Sequence, residues 1–271
     1  MNNPIIICAS GNSVPFLNSQ YYRTHCGLPS KLQYTIQNNV SIGLNWFFKY
    51  GCRTTFTSWV DWQWYVWTKE QTQSLPLMVG NYDQSLKNHN EDLTNKNTIL
   101  LKSSNTYYGK ESIEKGVYTK HLVGIWAMSL AVSLGFKEIY LLGYDCCEVN
   151  GQTHFYQGVI DVNQSVPLKL RGKVVENRPI FRGVGKKEDG KYKTGTYNRK
   201  GKDISDTYFD KFTTEKDVKI YNVSEESIIT SFPKISYEEL YERVGDIKVD
   251  NNAIRDKIKE ALHERACDCN R

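Results

Sequence analysis

The stretch GFKEIYLLGYDCCEVNGQTHFY, residues 135–156, holds the residues best placed to do chemistry. An apolar run from Ile139 to Leu142 ends in Gly143, Tyr144 and Asp145, and His154 follows nine residues later with Tyr156 beside it. A carboxylate at the mouth of a buried strand is costly unless something pairs with it. An imidazole titrates near neutral pH and serves as a proton acceptor there. Asp145 and His154, with Tyr156 as a second proton donor, therefore read as a catalytic acid–base set. The plainer reading has Asp145 capping a turn and His154 satisfied on a loop.

A second group follows the first apolar run, PIIICASGNSVPFLN. Ser10, Gly11, Asn12 and Ser13 come directly after it. Gly11 has no Cβ, so its backbone can approach a phosphate, and a following helix would add its positive dipole end. The run has neither the six-residue glycine fingerprint nor the Gly-Lys-Ser/Thr of a P-loop, and a tight strand-to-helix turn explains it equally well. Asn45 after SIGL offers an amide to a ribose or base edge, or caps the next segment. Asp61 sits among Trp59, Trp62 and Trp64 and can hold a hydroxyl or a metal, or end a strand. Those tryptophans serve as core packing or as a sugar platform. No Gly-x-Ser-x-Gly elbow supports serine-hydrolase chemistry.

These residues need elements to position them. Short apolar runs end at Ser10 to Ser13, Asn45, Asp61, Ser103-Ser104 and Asp145, alternating with helical or loop segments. The pattern predicts an α/β fold with a parallel sheet and helices on its faces. Polar residues repeated at strand ends predict one cleft outside the carboxyl ends. The clearest helix is YTKHLVGIWAMSLAVSLG, with a stripe through Leu122, Ile125, Trp126, Ser129, Leu130 and Ser133 and Gly135 as its C-cap. DVKIYNVS reads as a later strand. SEESIITSF reads as a capping-box helix start and SYEELYERVG as another helix. Residues 250–271 read as a charged amphipathic helix striped by Ile254, Ile258, Ala261 and Leu262.

The 271 residues suit one α/β domain, 10 Phe, 18 Tyr and 6 Trp suit an ordinary core, and the Tyr and Trp excess goes beyond what a core needs. Residues 157–217 read as a basic insertion or lid within that domain. From Lys169 to Lys202 there are twelve Lys/Arg and three Asp/Glu, against a net charge of +5 for the whole chain. Such a segment attracts nucleic acid or donor phosphates, or is simply solvated. Lys186, Lys187, Lys191 and Tyr197 are its candidate lid residues. Seven cysteines without repeated spacing point to reduced thiols and a cytoplasmic protein, with no metal centre expected. No apolar run reaches the roughly 20 residues of a membrane span.

IIICASGNS, SIGLNWFFKYG, TSWVD and AVSLGFKEIYLLGYD with a following histidine together resemble a known superfamily. It contains the Campylobacter-type bacterial sialyltransferases, the archaeal 6-hydroxymethylpterin diphosphokinases and many bacterial and phage proteins. The resemblance covers residues 4–156 and KIYNVSEESIITSFP at 219–233. It implies a modified Rossmann-like sheet holding a nucleotide at the strand ends. Gly11 and Ser13 match the nucleotide loop, Asn45 the second-strand asparagine, Gly124 the glycine opening the long helix, and Gly143 and Asp145 the last motif. The sialyltransferases have Asn-Gly-Pro-Ser where this chain has Ser10-Gly11-Asn12-Ser13, and a catalytic histidine in the lid, where residues 157–217 have none.

The resemblance implies a nucleotide-dependent transferase, first of all a glycosyltransferase with a nucleotide-sugar donor. His154 would be the base, Asp145 would orient it or bind the donor, and Ser10 to Ser13 with Asn45 would hold the nucleotide. The alternative is a diphosphokinase using ATP and Mg²⁺, with Asp61 and Asp145 as ligands. The basic segment adds a third reading, a phage enzyme that decorates modified DNA bases.

Overall fold

The structure is a computed structural model that describes residues 3–16, 27–82, 97–120, 122–146 and 208–263, plus the backbone of two short strands within 187–192. Strands are β1 Ile5–Cys8, β2 Val40–Leu44, β3 Phe56–Trp59, β4 Met78–Asn81, β5 Thr98–Leu101, β6 Ser103–Ser104, β7 Val117–Tyr118, β8 Glu138–Leu142, β9 Lys187–Glu188, β10 Lys191–Tyr192 and β11 Lys219–Val223. Helices are α1 Ser30–Asn38, α2 Phe47–Tyr50, α3 Trp62–Thr72, α4 Ser112–Lys115, α5 Val123–Ser133, α6 Tyr237–Val244 and α7 Asn251–His263.

Seven strands form one sheet in the order β11-β8-β1-β2-β3-β4-β5. Every pairing in it is parallel. IIIC in β1 and ILL in β5 read as unbroken apolar runs because strands of such a sheet are covered on both faces. On one face α5 and α7 cover Ile5, Ile7, Ile42, Val79, Ile139 and Leu141. On the other, α1 and α6 cover Ile6, Cys8, Tyr140 and Leu142, and α3 covers Trp59, Met78 and Leu100. This is a Rossmann-like α/β fold, as expected. No helix among the described residues is long and apolar enough to cross a membrane.

β1 lies between β2 and β8, with Ile5 opposite Val40 on one side and Ile139 on the other. The chain leaves β1 toward β2 and comes back across it to reach β8. The carboxyl ends of β1 and β8 therefore flank the point where strand order reverses, the usual place for a ligand crevice in open α/β sheets.

Several local expectations are corrected. α5 spans Val123–Ser133 and is buried on all sides from Ile125 to Val132 rather than along a stripe. The segment carrying α4 covers its outer side, where the Ser112 and Ser129 hydroxyls bond at 2.7 Å. Residues 224–232 form turns, not a helix. Ser227 Oγ donates to Tyr144 O at 2.7 Å and holds the segment in this form. Phe209 and Phe212, near the end of the 157–217 segment, are buried in the core. Gly135 adopts φ 83° just past α5, as a C-cap glycine does. Ser236 caps α6 by accepting from Glu239 N at 3.1 Å. α7 packs on the domain through Ile254, Ile258 and Leu262.

Candidate functional site

The turn after β1 is tied to the turn after β8. Ala9 N donates to Leu142 O at 2.8 Å and Gly11 N to Gly143 O at 3.0 Å. A Cβ on Gly11 would come within 2.4 Å of Gly143 O and 2.5 Å of Asp145 Oδ2. Gly143 has φ 68°, where a side chain is strained, and a Cβ there would meet Ala9 O and Gly11 N at 2.8 Å. The backbone that approaches Gly143 is therefore the chain's own. Packing between the two loops is what requires this glycine.

Asp145 completes the junction. Its Oδ2 accepts from Ser13 N at 2.8 Å, and its Oδ1 accepts from the Ser13 hydroxyl. Asp145 is 1% exposed. Burial pushes its pKa up, and Ser13, the Ser224 side chain and the Asn12 backbone amide pull it partly back by stabilising the charge. Tyr237 of α6 donates its hydroxyl to Ser13 O at 3.2 Å. The turn's amides thus point inward. Gly11 N goes to Gly143 O, Ser13 N to Asp145 and Val14 N to Gly11 O at 3.2 Å. The expected cradle of free amides for a phosphate is already filled by a carboxylate.

The other side of the edge differs. Asn45 follows β2 with φ 49°, and its N donates to Ser58 O at 3.0 Å. Its side-chain Oδ1 is buried with no hydrogen-bond partner. At the end of β4, Asn81 Nδ2 donates to Val60 O at 3.5 Å, while its Oδ1 is also unpartnered. Trp59 Nε1, Trp64 Nε1 and Asn222 Oδ1 are unpartnered as well, while the Ser224 side chain faces the Asp145 carboxylate. All of these residues lie at or just past the carboxyl end of a strand, with Trp64 in the first turn of α3. Of the unpartnered buried side-chain atoms among the described residues, Thr98 Oγ1 alone sits at the opposite edge. Among the described residues, the non-glycine residues with positive φ, Asn45, Lys120 and Cys146, lie in loops at the same edge. Buried polar atoms are nearly always paired, and strained backbone gathers at functional sites.

Asn45, Gly11 and Asp145 end three neighbouring strands, so the structure brings them to one edge across two strand spacings, about 10 Å. Gly124 lies in the first turn of α5, and Tyr144 donates to its carbonyl at 3.1 Å. Among the described residues no side-chain hydrogen bond caps α5 at its N-cap residue Leu122, and its amino end lies at this edge. Ser10 and Asn12 are half-buried in the β1 turn. Asp61 is exposed before α3, does not cap it with its side chain and has other interactions of its own. Trp59 stacks on Tyr65 at 4.9 Å and on Trp64 at 6.2 Å, with both tryptophans buried, so their faces serve the core rather than a sugar.

His154, Tyr156, Lys186 and Tyr197 lie outside the described residues, as do the side chains of Lys187 on β9 and Lys191 on β10. Sequence reasoning missed Tyr237, Ser224, Asn222 and Asn81. Ser224 was visible only as a helix cap. Tyr237 had no signal, since its partner lies far away in the chain.

No family model, no curated protein and no solved structure matches this chain.

Proposed function

We propose that the carboxyl edge of the sheet binds a nucleotide and that the protein is a nucleotide-dependent transferase moving a sugar from a nucleotide-activated donor to an acceptor hydroxyl. The observation that carries this reading is the gathering of unpartnered buried polar atoms and positive-φ residues at the edge where strand order reverses. The chain keeps these costs at one edge, and a bound ligand would offset them. The uncapped amino end of α5 supplies a positive dipole for the donor phosphates there. Asn45, half-buried just past β2, would offer its side-chain amide to a ribose hydroxyl or base edge. In this proposal His154 removes the proton from the acceptor hydroxyl, and the Lys169–Lys202 segment meets donor phosphates or a nucleic-acid acceptor.

The test is thermal stabilisation by CMP, UDP, GDP and ATP, each with and without Mg²⁺, followed by release of sugar from the nucleotide sugar that stabilises most. Stabilisation by CMP or UDP without metal supports sugar transfer. Stabilisation by ATP with Mg²⁺ alone replaces it with diphosphokinase chemistry. No stabilisation by any nucleotide removes both. Retention on DNA at low salt, lost as salt rises, would assign the basic segment to nucleic acid.

A further inference from the structure

We infer that Asp145 and Tyr237 are positioning residues that lock the β1 turn from inside the fold, and that neither touches the substrate. The inference deepens the reading of this edge as the nucleotide site, because it says which atoms of the turn remain for a ligand.

The geometry is that of an anion in a ring of donors, with the anion supplied by the chain. Three groups of the β1 turn converge on one carboxylate: Ser13 N, Ser13 Oγ and the Asn12 backbone amide. Consecutive amides pointing to one side form the concavity that elsewhere holds a phosphate. Asp145 occupies it. The carboxylate is almost wholly enclosed, so it has no route to a proton on a substrate. A nucleotide phosphate at this place would have to displace a bonded carboxylate that has nowhere else to go.

Tyr237 holds the opposite end of the same peptide segment. Its hydroxyl meets Ser13 O, so the Ser13 residue is bonded through its amide, its carbonyl and its side chain. Tyr237 opens α6, which packs under β8 and β1 through Leu240 and Val244. The helix therefore fixes the turn from beneath, while the loop after β11 adds Ser224 from the side. Ser10 and Asn12 are half-buried in this turn, and neither side chain takes part in the lock. Those side chains, with Asn45, are what a ligand reads.

One substitution separates the two roles of Asp145. In Asp145→Asn the side-chain oxygen can still accept from Ser13 N, and the new amide can donate to Ser13 Oγ. The lock survives without the charge. Asp145→Ala removes both. The measurements are amide exchange at residues 10–14 without ligand, and the affinity of the full chain for CMP and UDP.

We expect Asp145→Asn to keep slow exchange at Ser13 and nucleotide affinity within about twofold of the parent. We expect Asp145→Ala to speed that exchange and weaken nucleotide binding by about tenfold or more. Tyr237→Phe should speed exchange at the same residues, with no added effect in the Asp145→Ala background.

Should Asp145→Ala fail to fold, Ser13→Ala removes one arm of the lock and should speed exchange in the same residues. The proposal is overturned if Asp145→Asn loses nucleotide affinity as fully as Asp145→Ala, for then the charge itself acts on the ligand. It is also overturned if exchange at residues 10–14 is unchanged in Tyr237→Phe and Ser13→Ala. If no nucleotide binds the parent chain, the reading of the site fails, while the exchange measurements still decide the lock.

Discussion

Trp126 and Ser58 meet in the middle of the core, the indole Nε1 donating to the hydroxyl at 2.9 Å. Ser58 Oγ in turn donates to Val79 O at 2.7 Å. This short chain joins α5 to β3 and β4 beneath the carboxyl edge. Ser58→Ala leaves a buried indole N–H without a partner and should destabilise the fold by about 1–3 kcal/mol. Trp126→Phe removes the donor and leaves a small void, with a loss at least as large. Urea denaturation of both variants and the double variant should show the two losses to be less than additive.

Gly11 meets the β8 turn too closely for any side chain. Gly11→Ala drives a methyl group into Gly143 O and the Asp145 carboxylate, and should cost about 1–3 kcal/mol from overpacking. Ser10→Ala, in the same turn but half-buried, should be close to neutral for stability. A similar fall in melting temperature for both variants would sink the close-packing account.

Asp145 and Asp217 should contribute to pH dependence with opposite signs. Burial raises the pKa of Asp145 in the fold. Its stabilising contribution is therefore greatest below the unfolded carboxyl pKa and fades as pH rises through the folded value. Asp217 bridges Lys110 and Lys137 at the surface, and these lysines hold its pKa below the ordinary carboxylate range. Its contribution is present at neutral pH and lost as pH falls through that lowered value. Denaturation across the acid range should show Asp145→Asn and Asp217→Asn changing the slope in opposite directions. Added salt should erase the Asp217 effect and leave the buried one.

Thr98 opens β5 with a buried hydroxyl that has no partner, at the edge away from the candidate site. Thr98→Val keeps the shape and removes the unpaired oxygen, so it should raise stability by about 1 kcal/mol without changing ligand binding. Asn81→Leu should also be tolerated by the fold, but at the carboxyl edge. Comparing nucleotide affinity in the two variants tests whether the edge, rather than unpaired groups in general, is functional.

Much of the sheet was legible because its strands are covered on both faces. IIIC, ILL and IYLL are unbroken apolar runs, and the polar or glycine residues that stop IIIC, SIGL and IYLL located Gly11, Asn45 and Asp145. α3 was not legible. WQWYVWTKEQT is rich in aromatic and β-branched residues that favour strands, yet it is helical. Trp64, Tyr65, Thr68 and Thr72 bury one side of it against the sheet. Thr68 and Thr72 turn their hydroxyls back to carbonyls four residues earlier, at 2.9 and 3.1 Å. The lock on Ser13 was invisible for a different reason. Ser13, Asp145 and Tyr237 have no local pattern in common, and their meeting is decided by the strand order alone.

The strand order also has a consequence for synthesis. β1 is made first, yet its second neighbour is β8, so Ile5 waits for Ile139. Until then a nascent chain carries Ile5, Ile6 and Ile7 on a strand with an open edge, the kind of segment that associates with others like it. Pairings this distant in sequence also slow folding. Production of the protein should therefore depend on holding chaperones and on slow translation at low temperature. Fragments ending before residue 138 should accumulate as aggregates, however well their individual strands and helices are formed.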